Sequence, residues 1–181
     1  MTDTAFYYED TICAPATPAG GAISVIRISG AKAIEIAGSL FTPKSGKSLA
    51  QRAAGTVAFG DISDADGETL DEVLVTLFRA PHSYTGEDCV EISCHGSAYI
   101  ASRLLQSLIA KGCRMARPGE FTQRAFLNGK MDLSRAEAVA DLIASTSAAS
   151  HRVALKQMRG QFSEELAALR DKVLHRTTLL E

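Results

Sequence analysis

The stretch that decides the fold is Ala22–Phe41, "AISVIRISGAKAIEIAGSLF". Its first part is rich in β-branched side chains and closes on Gly30, a pattern that predicts a strand. The residues that follow place apolar side chains at helical spacing, which predicts a helix. A strand, a glycine turn and a helix form the first half of a crossover unit, so this stretch predicts a domain of mixed α and β structure.

More strands are predicted on the C-terminal side of this unit. Two apolar runs, "GTVAFGDI" and "LDEVLVTLFRA", flank the turn residues "SDADGE" and therefore predict a hairpin. "CVEISCHG" predicts another strand, and the amphipathic "SAYIASRLLQSLIAKG" predicts a helix that ends at Gly112. A last short strand, "CRMARP", is stopped by Pro118.

The pattern changes after Pro118, where no further strand is predicted. Ser134 is followed three residues later by Glu137, a capping box that predicts a helix start, and alanine, leucine and charged residues dominate from there on. The fold class predicted is therefore α+β, with a mixed-sheet domain at residues 1–118 and an all-α helical segment at residues 119–181.

The bulk composition excludes several classes of protein. The 181 residues are 46% hydrophobic and 22% charged with a net charge of -2, which is typical of a soluble globular protein and not of a nucleic-acid binder driven by bulk charge. No signal peptide is visible, and no apolar run approaches the ~20 residues that a membrane helix needs. We therefore expect a cytoplasmic protein without membrane contact.

Two motifs that carry chemistry in other proteins are incomplete here. "KSGKS" ends like a phosphate-binding loop, but Phe41 stands where that loop needs a glycine, so a surface loop is the better interpretation. The four cysteines are irregularly spaced and include no C-x-x-C pair, which indicates reduced thiols and no zinc site. The sequence thus predicts no metal site and no catalytic residue.

Two charged residues lie inside predicted strands. Arg27 shares a strand face with Val25 and Ser29, and a cation on an apolar strand needs a partner because burying it alone is costly. Glu91 is equally unusual within its strand. Arg27 could belong to a structural ion pair or lie on an exposed edge strand. Glu91 could pair with Arg27 or accept paired N–H donors of a ligand.

Lys130 follows Asn128 and Gly129 in the turn between two predicted helices. It is either a solvated turn lysine or a ligand group held in place by the capping residues around it, which would reduce the rotamer entropy lost on binding. If Arg27, Glu91 and Lys130 converge, they form a site for a ligand with an anionic end and a hydrogen-bonding heterocycle.

Three segments resemble the tRNA modification GTPases, the MnmE family (also called TrmE): "DTICAPATPAGGAISVIRISG", "SYTGEDCVEISCHGS" and "RPGEFTQRAFLNGKMDLSRAEAVADLI". The resemblance covers nearly the whole chain in collinear order. It implies a tetrahydrofolate-binding domain followed by the first helices of a central helical domain. The family's GTPase domain, which holds GTP, Mg²⁺ and K⁺, has no counterpart in this sequence, so we expect a fragment without GTPase activity.

The resemblance also implies a ligand and partners. The family's folate contacts map onto Arg27, Glu91 and Lys130, and the cofactor implied is a tetrahydrofolate derivative, either 5-formyl- or 5,10-methylene-tetrahydrofolate. Family members form homodimers through the N-terminal domain. They work with a flavoprotein (MnmG, also called GidA) to add a folate-derived one-carbon unit at C5 of the wobble uridine in certain tRNAs.

Other functions stay open at this point. The chain could be a self-contained folate-dependent transferase, or a scaffold in which the three charged residues are internal ion pairs. Arg152, Lys156 and Arg159 recur at helical spacing, either as a basic stripe for nucleic acid or as a solvated helix face.

Overall fold

The computed structural model describes residues 10–160 and 168–170. The chain divides into two compact units, with the boundary between Phe121 and Thr122. Pro118, after which the sequence predicts a domain boundary, lies shortly before this point.

The first unit is a seven-stranded sheet with two helices. In chain order its elements are β1 (Thr11–Pro15), β2 (Ile23–Ser29), α1 (Ala33–Leu40), β3 (Phe41–Pro43), a short 3-10 turn (Leu49–Gln51), β4 (Thr56–Ser63), β5 (Thr69–Phe78), β6 (Cys89–His95), α2 (Ala98–Ala110) and β7 (Cys113–Met115). A third helix, α3 (Glu120–Leu127), crosses the boundary.

The strand order is β3-β4-β5-β6-β2-β1-β7. All neighbours pair antiparallel except β1 and β7, which are parallel, so the sheet is mixed as predicted. Four successive antiparallel pairings lead from β2 through β6, β5 and β4 to β3, so β2 and β3 run in the same direction. Helix α1 connects these two strands along the chain. The predicted crossover unit is therefore present, although three other strands separate its two ends.

The structure confirms most of the elements predicted for this unit: the hairpin of β4 and β5, the strands β2, β6 and β7, and the helices α1 and α2. Two strands were not predicted, β1 and β3. Strand β3 has only three residues, too few for a periodic pattern to show. In β1 three consecutive buried residues replace the alternation that marks a half-buried strand.

The core lies between α1, α2 and one face of the sheet. Alternate strand residues such as Ile26, Ile28, Val90 and Ile92 are fully buried and form one cluster with apolar residues of both helices, including Leu104. Arg27 and Glu91 occupy the intervening positions, so they lie on the opposite face of the sheet. The hydrophobic effect thus fixes which face carries the charged residues.

A buried ion-pair network joins β7 to the start of α3. Arg114 places Nη1 3.0 Å and Nη2 2.5 Å from the two carboxylate oxygens of Glu120, and its Nε donates to Asp10 at 2.6 Å. Glu120 also accepts a hydrogen bond from the backbone N–H of Arg117. This two-pronged contact holds the chain where it leaves the sheet.

The second unit contains the helices α4 (Leu133–Ala144) and α5 (Ala148–Met158). The predicted capping box at Ser134 is wrong, because the N-cap is Asp132, whose side chain accepts from the N–H of Arg135. Ser134 lies inside the first turn, where its hydroxyl accepts from Gln157 of α5. The helix predicted beyond Gly160 lies outside the described residues, apart from a helical stretch at 168–170.

Candidate functional site

Strands β2 and β6 bring two of the three predicted site residues together. Arg27 and Glu91 are direct partners in the antiparallel register. The Nε of Arg27 donates to Oε1 of Glu91 at 2.8 Å, and Nη2 lies 2.8 Å from the same oxygen. Each side chain is 26% exposed, so the pair is half-buried and still reachable from solvent.

The pairing leaves part of each group available. Both Arg27 nitrogens that face Glu91 end on Oε1, and within residues 10–160 no hydrogen bond to Oε2 of Glu91 is present. The Nη1 group of Arg27 likewise has no acceptor in that range. A carboxylate oxygen and a guanidinium edge can therefore bind a ligand that carries both N–H donors and an acceptor.

Two aromatic rings lie close to the guanidinium. The Cζ atom of Arg27 is 5.2 Å from the ring centre of Tyr84 and 5.6 Å from that of Phe121. Both distances are within the range of cation–π attraction, which holds the guanidinium in one place. The rings also add flat apolar surface beside the charged groups, which suits a planar heterocycle.

A buried hydrogen-bond network positions Tyr84 at this site. Ser29, at the end of β2, is fully buried; its hydroxyl donates to Oε2 of Glu87 at 2.7 Å and accepts from the hydroxyl of Thr85 at 2.7 Å. The N–H of Glu87 in turn donates to the Thr85 hydroxyl. The loop that carries Tyr84 is therefore anchored to the strand that carries Arg27.

Lys130 lies in the second unit, in the turn between α3 and α4. Its N–H donates to the carbonyl of Ala125 at 2.8 Å, and Gly129 supplies the positive φ of 69° that this turn requires. The Asp132 cap then starts α4 two residues later. The backbone of Lys130 is thus held on both sides, and its convergence with Arg27 and Glu91 stays a prediction.

His95 occupies the end of β6, on the same strand face as Glu91. Its backbone N–H and its Nδ1 contact the two carboxylate oxygens of Asp71 at 2.8 and 2.7 Å. Burial opposes ionisation of Asp71, but the hydrogen bonds from His95 prevail and lower the pKa of that carboxyl. After His95, Gly96 lies directly against the backbone of Gly21, which leaves no room for a side chain.

All four cysteines are free and buried, and burial raises the pKa of Cys89 to about 12, which keeps its thiol protonated. Among the described residues no three histidine, cysteine or acidic side chains cluster as metal ligands. No helix in those residues has the length and apolarity to cross a membrane.

Comparison with known protein families identifies the family of this chain. The family model described as GTP-binding protein TrmE N-terminus matches residues 11–130. The chain belongs to this family. The model of the MnmE helical domain matches residues 133–181, which confirms that the helical segment follows the sheet domain.

Curated relatives agree with the MnmE assignment. A tRNA modification GTPase MnmE from Bacteroides fragilis is 64% identical over 174 residues, which is 96% of this chain and 37% of the relative. Those from Flavobacterium johnsoniae and Phocaeicola vulgatus are 58% and 54% identical, with 37% and 41% of their lengths covered. The chain thus spans well under half the length of the MnmE proteins that it matches.

The sequence pattern did not mark the two aromatic residues beside Arg27. Tyr84 and Phe121 flank Arg27 in space but lie in a polar loop and just after "RPGE", where no periodicity marks them. The available signal was compositional: a large aromatic residue inside a glycine- and proline-rich connection is unusual unless it packs on something.

Proposed function

We propose that the sheet domain of this MnmE-family chain binds a tetrahydrofolate derivative on the face that carries Arg27 and Glu91. The observation that carries the proposal is the half-buried Arg27–Glu91 pair, whose Oε2 oxygen stays available beside the rings of Tyr84 and Phe121. A reduced pterin presents adjacent N–H donors that a carboxylate oxygen accepts, and its flat ring suits an aromatic neighbour.

The remaining charged groups are two cations, Arg27 and Lys130, that would meet acceptor groups of the ligand. The free edge of the Arg27 guanidinium and the ammonium of Lys130 are suited to the folate's carboxylates or to the carbonyl of a carried one-carbon group. The bound folate would supply that one-carbon unit, as 5-formyl- or 5,10-methylene-tetrahydrofolate. The protein's residues bind and orient it, and none of them is assigned a catalytic role.

Ligand-induced stabilisation tests folate binding against the scaffold alternative. At 5-formyl-tetrahydrofolate a hundredfold above its dissociation constant, one-site linkage raises the free energy of unfolding by ~2.7 kcal/mol. Denaturant unfolding of the chain with and without the folate measures this shift. An unchanged unfolding curve across folate concentrations would favour a scaffold in which Arg27 and Glu91 are only a structural ion pair.

The same face supports pairing of two copies. Four large apolar side chains on it are exposed: Ile23 62%, Val57 55%, Phe59 49% and Leu74 47%. The strand registers place them on the side of the sheet that carries Arg27 and Glu91. A homodimer through this face would cover the apolar residues next to the folate. Sedimentation of the wild-type chain and of Leu74→Asp tests this dimer. The variant should contain more monomer than the wild type, and equal monomer fractions would contradict pairing through this face.

The wider role is inferred from the activity for which the relatives are named, tRNA modification by a GTPase. We propose that a full-length protein of this family, with a flavoprotein of the MnmG type, transfers the folate-derived carbon to C5 of the wobble uridine of tRNA in the cytoplasm. GTP, Mg²⁺ and K⁺ would act in the GTPase domain. The 181 residues by themselves are expected to hydrolyse no GTP, which a phosphate-release assay measures.

A further inference from the structure

Helix α5 carries a row of cations on one side. Arg152, Lys156 and Arg159 are all exposed and follow one another at intervals of four and three residues. At 100° per residue they occupy one narrow face, and buried Ala154 lies on the opposite side of the helix. The row extends about 10 Å along the axis at ~1.5 Å per residue. We refer to these three residues as the α5 basic face.

Among the described residues, the α5 basic face differs from three arginines of the first unit because its side chains have no acidic partner there. Arg27, Arg103 and Arg114 each pair with a carboxylate in the first unit. Within residues 10–160 and 168–170, no hydrogen bond or ion pair is made by the side chains of the α5 basic face. Residues 145–160 contain no aspartate or glutamate, so no acidic residue within this stretch offsets the positive charge.

The chemistry of this surface favours a phosphate backbone over a protein partner. Protein interfaces are typically anchored by aromatic side chains, and residues 133–160 contain no phenylalanine, tyrosine or tryptophan. The same absence removes the side chains that stack on unpaired bases. The α5 basic face itself consists of arginine and lysine side chains, which are the usual partners of backbone phosphates.

We propose that the α5 basic face binds the phosphate backbone of the tRNA. This inference rests on the proposed tRNA-modifying function and adds to it the place of one contact. The contact positions the RNA without selecting its sequence, so selection of the wobble uridine must come from elsewhere in the full complex.

The test is the salt dependence of tRNA binding to the 181-residue chain. The probe is an unmodified tRNA transcript with uridine at the wobble position, and the variant is Arg152→Gln/Lys156→Gln/Arg159→Gln. Loss of three phosphate contacts lowers the slope of log affinity against log salt by about 2 to 3. Between ~50 and ~200 mM salt the wild type should then lose about 20- to 40-fold more affinity than the variant.

A matched control separates this contact from general charge. Lys32→Gln/Lys47→Gln/Lys111→Gln removes three exposed cations of the first unit, with the same change in net charge. It should keep the wild-type slope. With a transcript that has cytidine at the wobble position, the α5 variant should lower the salt slope by the same amount, because phosphates carry no sequence information.

The outcomes are distinguishable. Equal slopes for the wild type and the α5 variant, or a wild type that binds no tRNA, would overturn the inference, as would an equal loss in the control variant. A calorimetric titration of 5-formyl-tetrahydrofolate into the wild type tests the proposed folate function independently of tRNA. The α5 variant should bind folate like the wild type, which also shows that it is folded.

Discussion

Arg27 and Glu91 face each other across two antiparallel strands and share a contact at 2.8 Å through a single carboxylate oxygen. This relationship combines two roles. The contact satisfies a charge on an otherwise apolar strand, and among the described residues the second oxygen of Glu91 has no hydrogen-bond donor, so it can meet a ligand. An ion pair and a binding site are therefore compatible interpretations of the same two residues.

The coupling between these side chains can be measured in a double-mutant cycle with Arg27→Met and Glu91→Gln. Because the pair is half-buried and hydrogen-bonded, we expect a coupling of about 1 kcal/mol in the free energy of urea unfolding. The exposed Lys44–Asp61 pair is the matched reference and should couple by about 0.2 to 1 kcal/mol. Zero coupling between Arg27 and Glu91 would show that their contact contributes nothing to the stability of the folded protein.

Removal of the side chain of Arg114 should destabilise the first unit strongly. Arg114→Ala leaves Glu120, whose side chain is 6% exposed, without its two-pronged partner. Because other partners of Glu120, such as the N–H of Arg117, remain in place, we expect a loss of about 1 to 3 kcal/mol from the weakened compensation of this carboxylate. Equilibrium unfolding measures the loss, and Lys47→Ala, at an exposed position of the same unit, should change stability little. A loss below ~1 kcal/mol would contradict the structural role.

Gly96 should tolerate no side chain. A Cβ atom there would lie 1.6 Å from the carbonyl oxygen of Gly21, which is backbone and has no easy way to move. Gly96→Ala is therefore expected to cost about 1 to 3 kcal/mol or more. Gly38 lies within α1, and a Cβ atom there would be 4.0 Å from the nearest neighbouring atom. In Gly38→Ala the higher helix propensity of alanine should instead raise the free energy of unfolding by as much as ~1 kcal/mol. Equal effects of the two substitutions on unfolding would contradict this packing.

The Asp71–His95 contact predicts a change in acid stability. Because the pKa of Asp71 is lowered in the folded state, its stabilisation is complete above the ordinary pKa and is lost as the pH falls through the folded value. In Asp71→Asn this contribution is missing, so the free energy of unfolding should fall less steeply than in the wild type below about pH 4. Urea unfolding at a series of pH values measures both slopes. Identical slopes would show that the contact does not stabilise the charged carboxylate.

Much of this structure could be predicted from local pattern. Strand alternation marked Arg27 and Glu91 as unusual and placed the apolar residues of β2 and β6 on the covered face. The register that makes the two residues partners is a contact between distant parts of the chain, which periodicity does not encode. Tyr84 reaches Arg27 through a loop whose path depends on Ser29 and Thr85.

The helix start at Asp132 shows the same limit on a smaller scale. Asp132 and Ser134 are both capping residue types two positions apart. Composition favoured Ser134 because Glu137 completes a capping box. The extended backbone of Asp132 decides the cap instead, and this conformation follows from the turn at Gly129 and Lys130. Short-range preferences thus identified the right region and the wrong residue.

A calorimetric titration of 5-formyl-tetrahydrofolate tests the central claim most directly, with the wild type, Glu91→Gln and the control Asp61→Asn, which alters an ion-paired carboxylate on β4. Glutamine keeps the size of Glu91 and removes its charge, so one charge-assisted contact worth ~1.5 to 3 kcal/mol is lost. We predict folate binding to the wild type and to Asp61→Asn, and binding about 10- to 150-fold weaker to Glu91→Gln. Equal affinity for the wild type and Glu91→Gln would contradict the assignment of the folate site.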